Sequence, residues 1–427
     1  MTSFPNPPRR TPLAPQRNTG AVAVLLAVAL LGCAHMTPGT ARRAPQSPTC
    51  PPAAVNPAQL DPGSYPTTAG PPLGDAGSSQ VGRLVEATRM AGFVVGPWQA
   101  DPNVSAAGAN AAAVIDDFHQ FARVLWPPIA GGAYGLPFLV GFSAERQSTG
   151  PDPKTLLRNA VLRFADPTTA STAAAGLHDR AMHMPKDPRA TPIVTGPEQA
   201  IPIPGHPEAA AALLTFQEGA QSVRELSVFT AHGPYVLVQV ARCPAGPDCE
   251  TPLAAHTLDL QLPLIDKFAP TAADQFAALP RDPTGLVARN LPLPADQATP
   301  TTGAAYDPAG ALQFESDPVH TGPALTAAGV DEVAINLTTV YQAADPARAQ
   351  TLAEAYSDTA AKTEGAQPAP PVPGLPQSRC TRVPEAGGLI PRYWCLAAAG
   401  RYTIKAVARQ VDNAHQQIAA QYRILTR

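Results

Sequence analysis

Apolar residues recur along this chain at two different periods, and each period predicts its own kind of element. Val81, Leu84, Val85 and Thr88 fall on one face of a helix, and Phe93-Val94-Val95 behind them predicts a strand. Val114, Ile115, Phe118, Phe121, Ala122 and Leu125 form a stripe with a repeat of about 3.6 residues. That stripe predicts an amphipathic helix, which Pro127-Pro128 ends. Leu136–Phe142 is apolar and short, as a buried strand would be.

Two stretches recur in the same order. Asn159–Pro167 and Ile335–Pro346 are both strand-like, and both end in Ala-Asp-Pro before an Ala-rich helical pattern. Asp can accept the free backbone donors of a helix start, and Pro at the first helical position has no donor to leave unpaired. Downstream of each lies a second pair, Tyr235–Arg242 and Tyr402–Arg409, which share the tyrosine and a closing Val-Ala-Arg. Each follows a Gly-containing turn, so each predicts a hairpin. A helical face follows each one: Leu260, Leu264, Ile265 and Phe268 in the first, with Pro263 expected to kink it, and Val411, Ala414, Ile418, Tyr422 and Leu425 in the second.

A duplication explains this order. The expected class is α+β, with two related units that are each a small antiparallel sheet covered on one face by helices. The units are expected over residues 60–290 and 301–427, joined by the proline-rich Leu291–Pro300; Gln367–Gln377 reads as a loop inside the second. Period-2 alternation puts Tyr402, Ile404 and Ala406 on one face and Thr403, Lys405 and Val407 on the other. The Lys405 face should be the wetter, with Ile404 directed at Ile418 and Tyr422. A seam between two such sheets is the first place to expect a ligand.

The N-terminus has a different character. Arg9, Arg10 and Arg17 precede the apolar run Ala21–Leu31, which closes in Leu30-Leu31-Gly32-Cys33. The run is shorter than the roughly 20 residues of a membrane-spanning helix. Basic flank, short apolar core, small residue and cysteine make a lipoprotein signal peptide over residues 1–32, with Cys33 receiving diacylglycerol before cleavage. Arg9-Arg10 leaves twin-arginine export open beside general secretion. Residues 33–59, rich in Pro, Ala and Thr, read as a tether. The expected location is the extracytoplasmic face of the cell membrane, with the membrane as a partner through the lipid.

Composition limits the partners. The 427 residues are 44% hydrophobic and only 15% charged, with 30 basic against 33 acidic residues. Cleavage before Cys33 removes three arginines and no acids, leaving 27 − 33 = −6. An acidic surface of this kind lacks the basic patch that nucleic acid requires. Only Lys154, Lys186, Lys267, Lys362 and Lys405 are lysine; with abundant Ala, Pro and Gly this matches a GC-rich, actinobacterial genome.

Six cysteines are present, and with Cys33 used by lipid five remain in an exported chain where thiols oxidise. Cys243 and Cys249 bracket a tight Pro/Gly loop, while Cys380 and Cys395 flank a loop carrying Gly387-Gly388 and Pro391. Four cysteines allow three connectivities, of which the two local bonds are favoured. Closing the longer loop is worth about 3 kcal/mol. Cys50 is left over in the tether. The Cys-x5-Cys spacing is not that of a zinc site, and no paired His follows, so neither a metal nor another cofactor is expected.

Candidate chemistry is sparse. Gly141-Phe142-Ser143-Ala144-Glu145 begins like a nucleophile elbow, but Glu145 stands where the close approach of strand and helix needs a second glycine. His178, Met182, His183 and Met184 are soft ligands of the kind that hold Cu(I), although a helix end also accommodates them. Asp116-Asp117-Phe118-His119 reads as a solvated helix face. No phosphate loop, dinucleotide fingerprint or His-Glu-x-x-His occurs.

The lipobox at Cys33 is joined by Leu60-Asp61-Pro62-Gly63-Ser64-Tyr65-Pro66-Thr67, by Gly82–Glu86 running through Arg89-Met90-Ala91 to Val94-Val95-Gly96-Pro97, and by the Ala-Asp-Pro helix starts. With Ala399-Gly400-Arg401-Tyr402 and the terminal Gln421-Tyr422-Arg423-Ile424-Leu425, the chain resembles an uncharacterised lipoprotein family of mycobacteria and nocardiae over residues 60 to 427. The resemblance implies an envelope location and carries over no functional residue beyond Cys33. The function expected is a lipid-anchored, non-enzymatic module that binds a small molecule, lipid or protein. An envelope hydrolase acting through Ser143, or a copper-binding lipoprotein, is the alternative.

Overall fold

A computed structural model describes residues 55–150, 153–187, 189–244, 247–384 and 390–427. The expected signal peptide, Cys33 and Cys50 lie outside the described residues. In the N-terminal half, α1 (Ser79–Met90) starts beneath Ser78, whose Oγ accepts from the Val81 amide at 3.2 Å. α2 (Pro97–Ala100) leads to β1 (Ala106–Ile115), and α3 (Phe118–Val124) and α4 (Pro127–Ala130) lead to β2 (Phe138–Gln147). β3 (Leu156–Phe164) runs into α5 (Pro167–Met182); the short β4 (Ile193–Val194) and β5 (Gln199–Ala200) pair with β6 (Ala210–Glu218). β7 (Gln221–His232), β8 (Tyr235–Arg242) and α6 (Pro247–Ile265) complete the half. Its sheet has the order β1-β2-β3-β8-β7-β6-β4, antiparallel throughout.

The C-terminal half opens with β9 (Ala304–Tyr306), α7 (Pro308–Leu312) and α8 (Pro318–Ala328). β10 (Glu332–Ile335), β11 (Thr338–Gln342) and α9 (Pro346–Ala361) follow, then β12 (Gln367–Ala369), β13 (Arg379–Val383), β14 (Arg392–Ala399), β15 (Tyr402–Ala408) and α10 (Val411–Leu425). The second sheet, also antiparallel, reads β9-β10-β11-β15-β14-β13-β12, which is the order of the first sheet strand for strand.

The correspondence reaches the register. Arg163, three residues before Asp166, faces Tyr235; Gln342, three residues before Asp345, faces Tyr402. Asp166 Oδ1 accepts from the Thr169 amide and Asp345 Oδ1 from the Arg348 amide, each at 2.9 Å, caps worth about 1 kcal/mol apiece. Both hairpins turn through two residues, and the first is a glycine at positive φ (Gly233 at 53°, Gly400 at 56°), as a right-twisted hairpin demands.

A pair of glutamines shares one further device. Gln261 of α6 accepts from the Val95 amide at 2.9 Å, donates to the Phe93 carbonyl at 2.9 Å and is approached by Asn159 of β3 at 2.7 Å. Gln421 of α10 accepts from the Leu291 amide at 2.6 Å, donates to the Arg289 carbonyl at 2.7 Å and takes a hydrogen bond from Thr338 of β11 at 2.7 Å. Asn159 and Thr338 stand at equivalent positions, seven residues before the two capping aspartates. Each glutamine thus fastens an irregular segment to the helix and sheet of its own half.

This clamp corrects the strand expected at 93–95. Ala91–Phe93 is a turn of 3-10 helix, and the backbone groups beyond it pair with a side-chain amide rather than a neighbouring strand. The helix expected from Val114 is also corrected: Val114 and Ile115 end β1, and helix begins only at Phe118 under an Asp117 cap. Covering on one face alone is wrong as well. In the first sheet Val236, Val238 and Val240 pack with α5, while Tyr235 and Leu237 pack with α1 and α6. In the second, Ile404 and Ala406 join Ile418 and Tyr422 of α10, as expected, but the opposite face lies under α9, where Thr403 Oγ1 donates to the Ala349 carbonyl. Lys405 is therefore largely covered, its side chain 11% exposed. The two arginines are not equivalent: Arg242 lies in β8 and ion-pairs Glu225 at 2.7 Å, whereas Arg409 is exposed beyond the end of β15. α6 contains Pro263 and continues to Ile265.

One apolar cluster crosses between the halves, bringing Met90, Phe142 and Leu237 together with Tyr306, Leu325 and Tyr341. The first described residues also lie on the C-terminal half. Leu60 is 2% exposed in the α10 cluster, Tyr65 Oη donates to Asn413 at 2.6 Å, and Arg423 reaches the Leu60 carbonyl.

Candidate ligand cleft

The α1 face that the sequence marks out has an unexpected neighbour. Gly82, Glu86, Ala87 and Met90 form the buried side of α1, while Val81, Leu84 and Val85 stay half-buried and line a cleft of about 660 Å³. The opposite wall is Ala298–Ala305 with the start of β9, and Leu279, Pro280 and Pro283 close one side. Both halves of the molecule therefore contribute to it. A helix that keeps three aliphatic side chains half-exposed in a concave surface has the walls of an apolar ligand site.

Charges sit at its margin. Glu86, on the wholly buried side of α1, is satisfied by Arg163 at 3.0 Å, Arg89 at 2.5 Å and the Thr271 amide at 2.7 Å. Arg89 also takes Thr271 Oγ1 and lies over the Phe268 ring, so it belongs to the frame. Arg281 is exposed and, among the described residues, its side chain has no hydrogen bond or ion pair. Glu332 accepts from Thr284 Oγ1 at 2.5 Å; burial pushes its carboxyl pKa up, and the Asp282 and Asp331 carboxylates push the same way. The cleft thus offers apolar walls, a free guanidinium and a reluctant carboxylate. No His, Ser or Cys is among the described residues that line it.

The residues singled out for chemistry lie elsewhere. Ser143 is fully buried in mid-strand, and β2 continues to Gln147. No turn follows it, so the nucleophile-elbow geometry is absent. His183 is exposed and bonds the Asp179 carbonyl at 2.8 Å, while Met182 and Met184 pack into the cluster under α5, so His183 faces solvent and the thioethers face the core. Of the expected solvated face Asp117 and His119 are exposed, but Asp117 is the helix cap and Asp116 precedes it half-buried, where burial raises its carboxyl pKa.

Both local disulfides are formed, Cys243–Cys249 and Cys380–Cys395. The second pair stands directly opposite across β13 and β14. His415 lies within 4.8 Å of these sulfurs, the one grouping of His, Cys and carboxylate among the described residues close enough to ligate an ion. Its thiols are spent on each other, and His415 Nε2 lies 2.9 Å from the Pro370 carbonyl. No described helix is long and apolar enough to cross a membrane.

The cleft was only half legible. Its α1 wall is the stripe Val81, Leu84, Val85 and Thr88, but nothing local shows that β9 and residues 298–303 come to face it.

No curated protein matches this chain. Among solved structures, the extracellular domain of PknH from Mycobacterium tuberculosis is similar at 11% identity over 41% of this chain and 94% of that one, with a TM-score of 0.28. Models of the N-terminal and C-terminal parts of one domain of unknown function, DUF7373, match residues 73–281 and 286–427. With both parts present in order, the chain belongs to the DUF7373 family.

Proposed function

We infer that this protein is a lipid-anchored binding module of the cell envelope, and that its ligand is an apolar or amphipathic small molecule held in the α1–β9 cleft. The observation that carries the reading is the cleft itself: about 660 Å³, walled by Val81, Leu84, Val85 and Leu279, with the unpaired Arg281 at its margin. That volume lies within the usual range for small-molecule sites, roughly 300–1,000 Å³. The signal ending at Cys33 and the two disulfides support an extracytoplasmic, oxidising location. Arg281 suits the acidic end of an amphipathic ligand, and the aliphatic wall suits its body.

Titration with an anionic naphthalene-sulfonate dye tests the site. The expected result is saturable fluorescence enhancement, competed by palmitate. Ala298→Trp, which places an indole in the cleft from an exposed position, should abolish it without changing the melting temperature. Undiminished dye binding by the folded Ala298→Trp protein would remove the cleft as the site.

A further inference from the structure

A second concavity lies on the other side of residues 298–303. Ala298, Thr302 and Gly303 face the cleft, Thr299 and Thr301 face this groove, and Pro300 lines both. The groove measures about 570 Å³ and follows Ala107–Val114 of β1, the edge strand of the first sheet. Edge strands normally carry charges, prolines or other guards against pairing with a further strand. β1 carries neither charge nor proline here: Ala106–Ala113 consists of alanine, one glycine and Asn110. Its register against β2 also slips, advancing from Ala107 to Ala112 while β2 advances only from Arg146 to Ala144. The extra residues bulge at the groove, a device common beside binding sites.

The groove's floor holds a guanidinium with no direct ion pair among the described residues. Arg146 is 1% exposed, donates to the Gln313 carbonyl at 2.6 Å and the Ser105 carbonyl at 3.4 Å, and lies 5.3 Å from the centre of the Trp98 ring. Among the described residues no carboxylate is within ion-pair distance of it, and its Nε has no acceptor. Glu315 on the groove wall is already committed to Lys405 at 2.7 Å and to Tyr341. Burial lowers the Arg146 pKa to about 10 against the opposing pull of the Glu315 carboxylate, so the guanidinium is charged at neutral pH but poorly solvated. A buried charge without a carboxylate in contact is costly, and a carboxylate is the partner that its geometry favours. At the rim the exposed Arg123 adds a second side chain without a described partner.

We propose that this groove binds an extended peptide which adds to the free edge of β1 and sets a carboxylate, from its C-terminus or an acidic side chain, against Arg146. Strand addition supplies sequence-independent affinity, and the carboxylate supplies selectivity. Two guanidiniums against one committed carboxylate favour a monoanion over a phosphate dianion.

Calorimetry on the full chain tests it with five probes: acetyl-tetra-alanine with a free C-terminus, its amide, the amide with one Ala replaced by Asp, acetate and inorganic phosphate. The free acid, the Asp peptide or both should bind about tenfold tighter than the neutral amide, the scale of one charge-assisted contact. Which of the two does so identifies the source of the carboxylate. Arg146→Gln should erase that preference. If Arg146→Gln does not fold, Ala109→Trp, which fills the groove from an exposed position, should abolish peptide binding. Equal affinity for acid and amide, no peptide binding, acetate as tight as peptide, phosphate tighter than carboxylate, or full binding by Ala109→Trp would each overturn the proposal.

Discussion

Lys405 shows how one residue can separate two otherwise matching halves. Its equivalent in the first sheet is Val238, an ordinary core residue under α5. At Lys405 the ammonium sits under α9, 2.7 Å from Glu315 and within 6 Å of the rings of Tyr356, Tyr341 and Trp394. Burial pushes the Tyr341 hydroxyl far above its ordinary pKa, so it stays protonated and donates to Glu315. Lys405→Met strands the Glu315 carboxylate in the core and should cost about 3–5 kcal/mol by urea denaturation. Adding Glu315→Gln should restore much of that loss, because the remaining groups are neutral. Additive losses in the double variant would show that the two side chains act separately. Period-2 alternation put Lys405 on the correct side of its strand; the burial of that side depends on α9, which begins more than forty residues earlier in the chain.

The paired glutamines act at the scale of elements. Replacing Gln421 with Leu leaves the Leu291 amide and the Arg289 carbonyl without their partner, and each buried orphan costs about 1–3 kcal/mol. Gln421→Leu and Gln261→Leu should therefore each lower stability by about 2 kcal/mol or more. Gln417→Leu, a turn away with contacts of 3.3 Å, should cost clearly less. Equal losses at 417 and 421 would show that filling space, not clamping, governs these positions. The helix starts at Asp166 and Asp345 were readable because a cap is a local signal. The glutamines were not, because an amide that grips a segment 130 residues away leaves no spacing to read. The misread stripe at 114–125 has a similar cause. The last two residues of a strand and the first face of a helix fall at helical intervals, and Asp116-Asp117 between them mark the break that periodicity alone passes over.

At the scale of the whole molecule, the duplication follows from the sequence, while the strand order and the joining of the halves do not. Phe142, Tyr306 and Tyr341 belong to different elements and meet only because the two sheets share one apolar cluster. The attachment of the chain is likewise a property of the whole, and Cys33 carries that expectation. Labelling cells with a clickable fatty acid should mark the wild-type protein and leave Cys33→Ala unmarked and uncleaved; equal incorporation would remove the lipid anchor. If the anchor holds, the path of residues 55–65 decides how load enters the fold. Leu60 and Tyr65 are seated on α10, at the opposite end of the sequence. Tension from the membrane would reach the C-terminal half first and would peel this short segment from the last helix contact by contact. Neither sheet need yield at the outset, so the segment would act as a mechanical fuse upstream of both cavities.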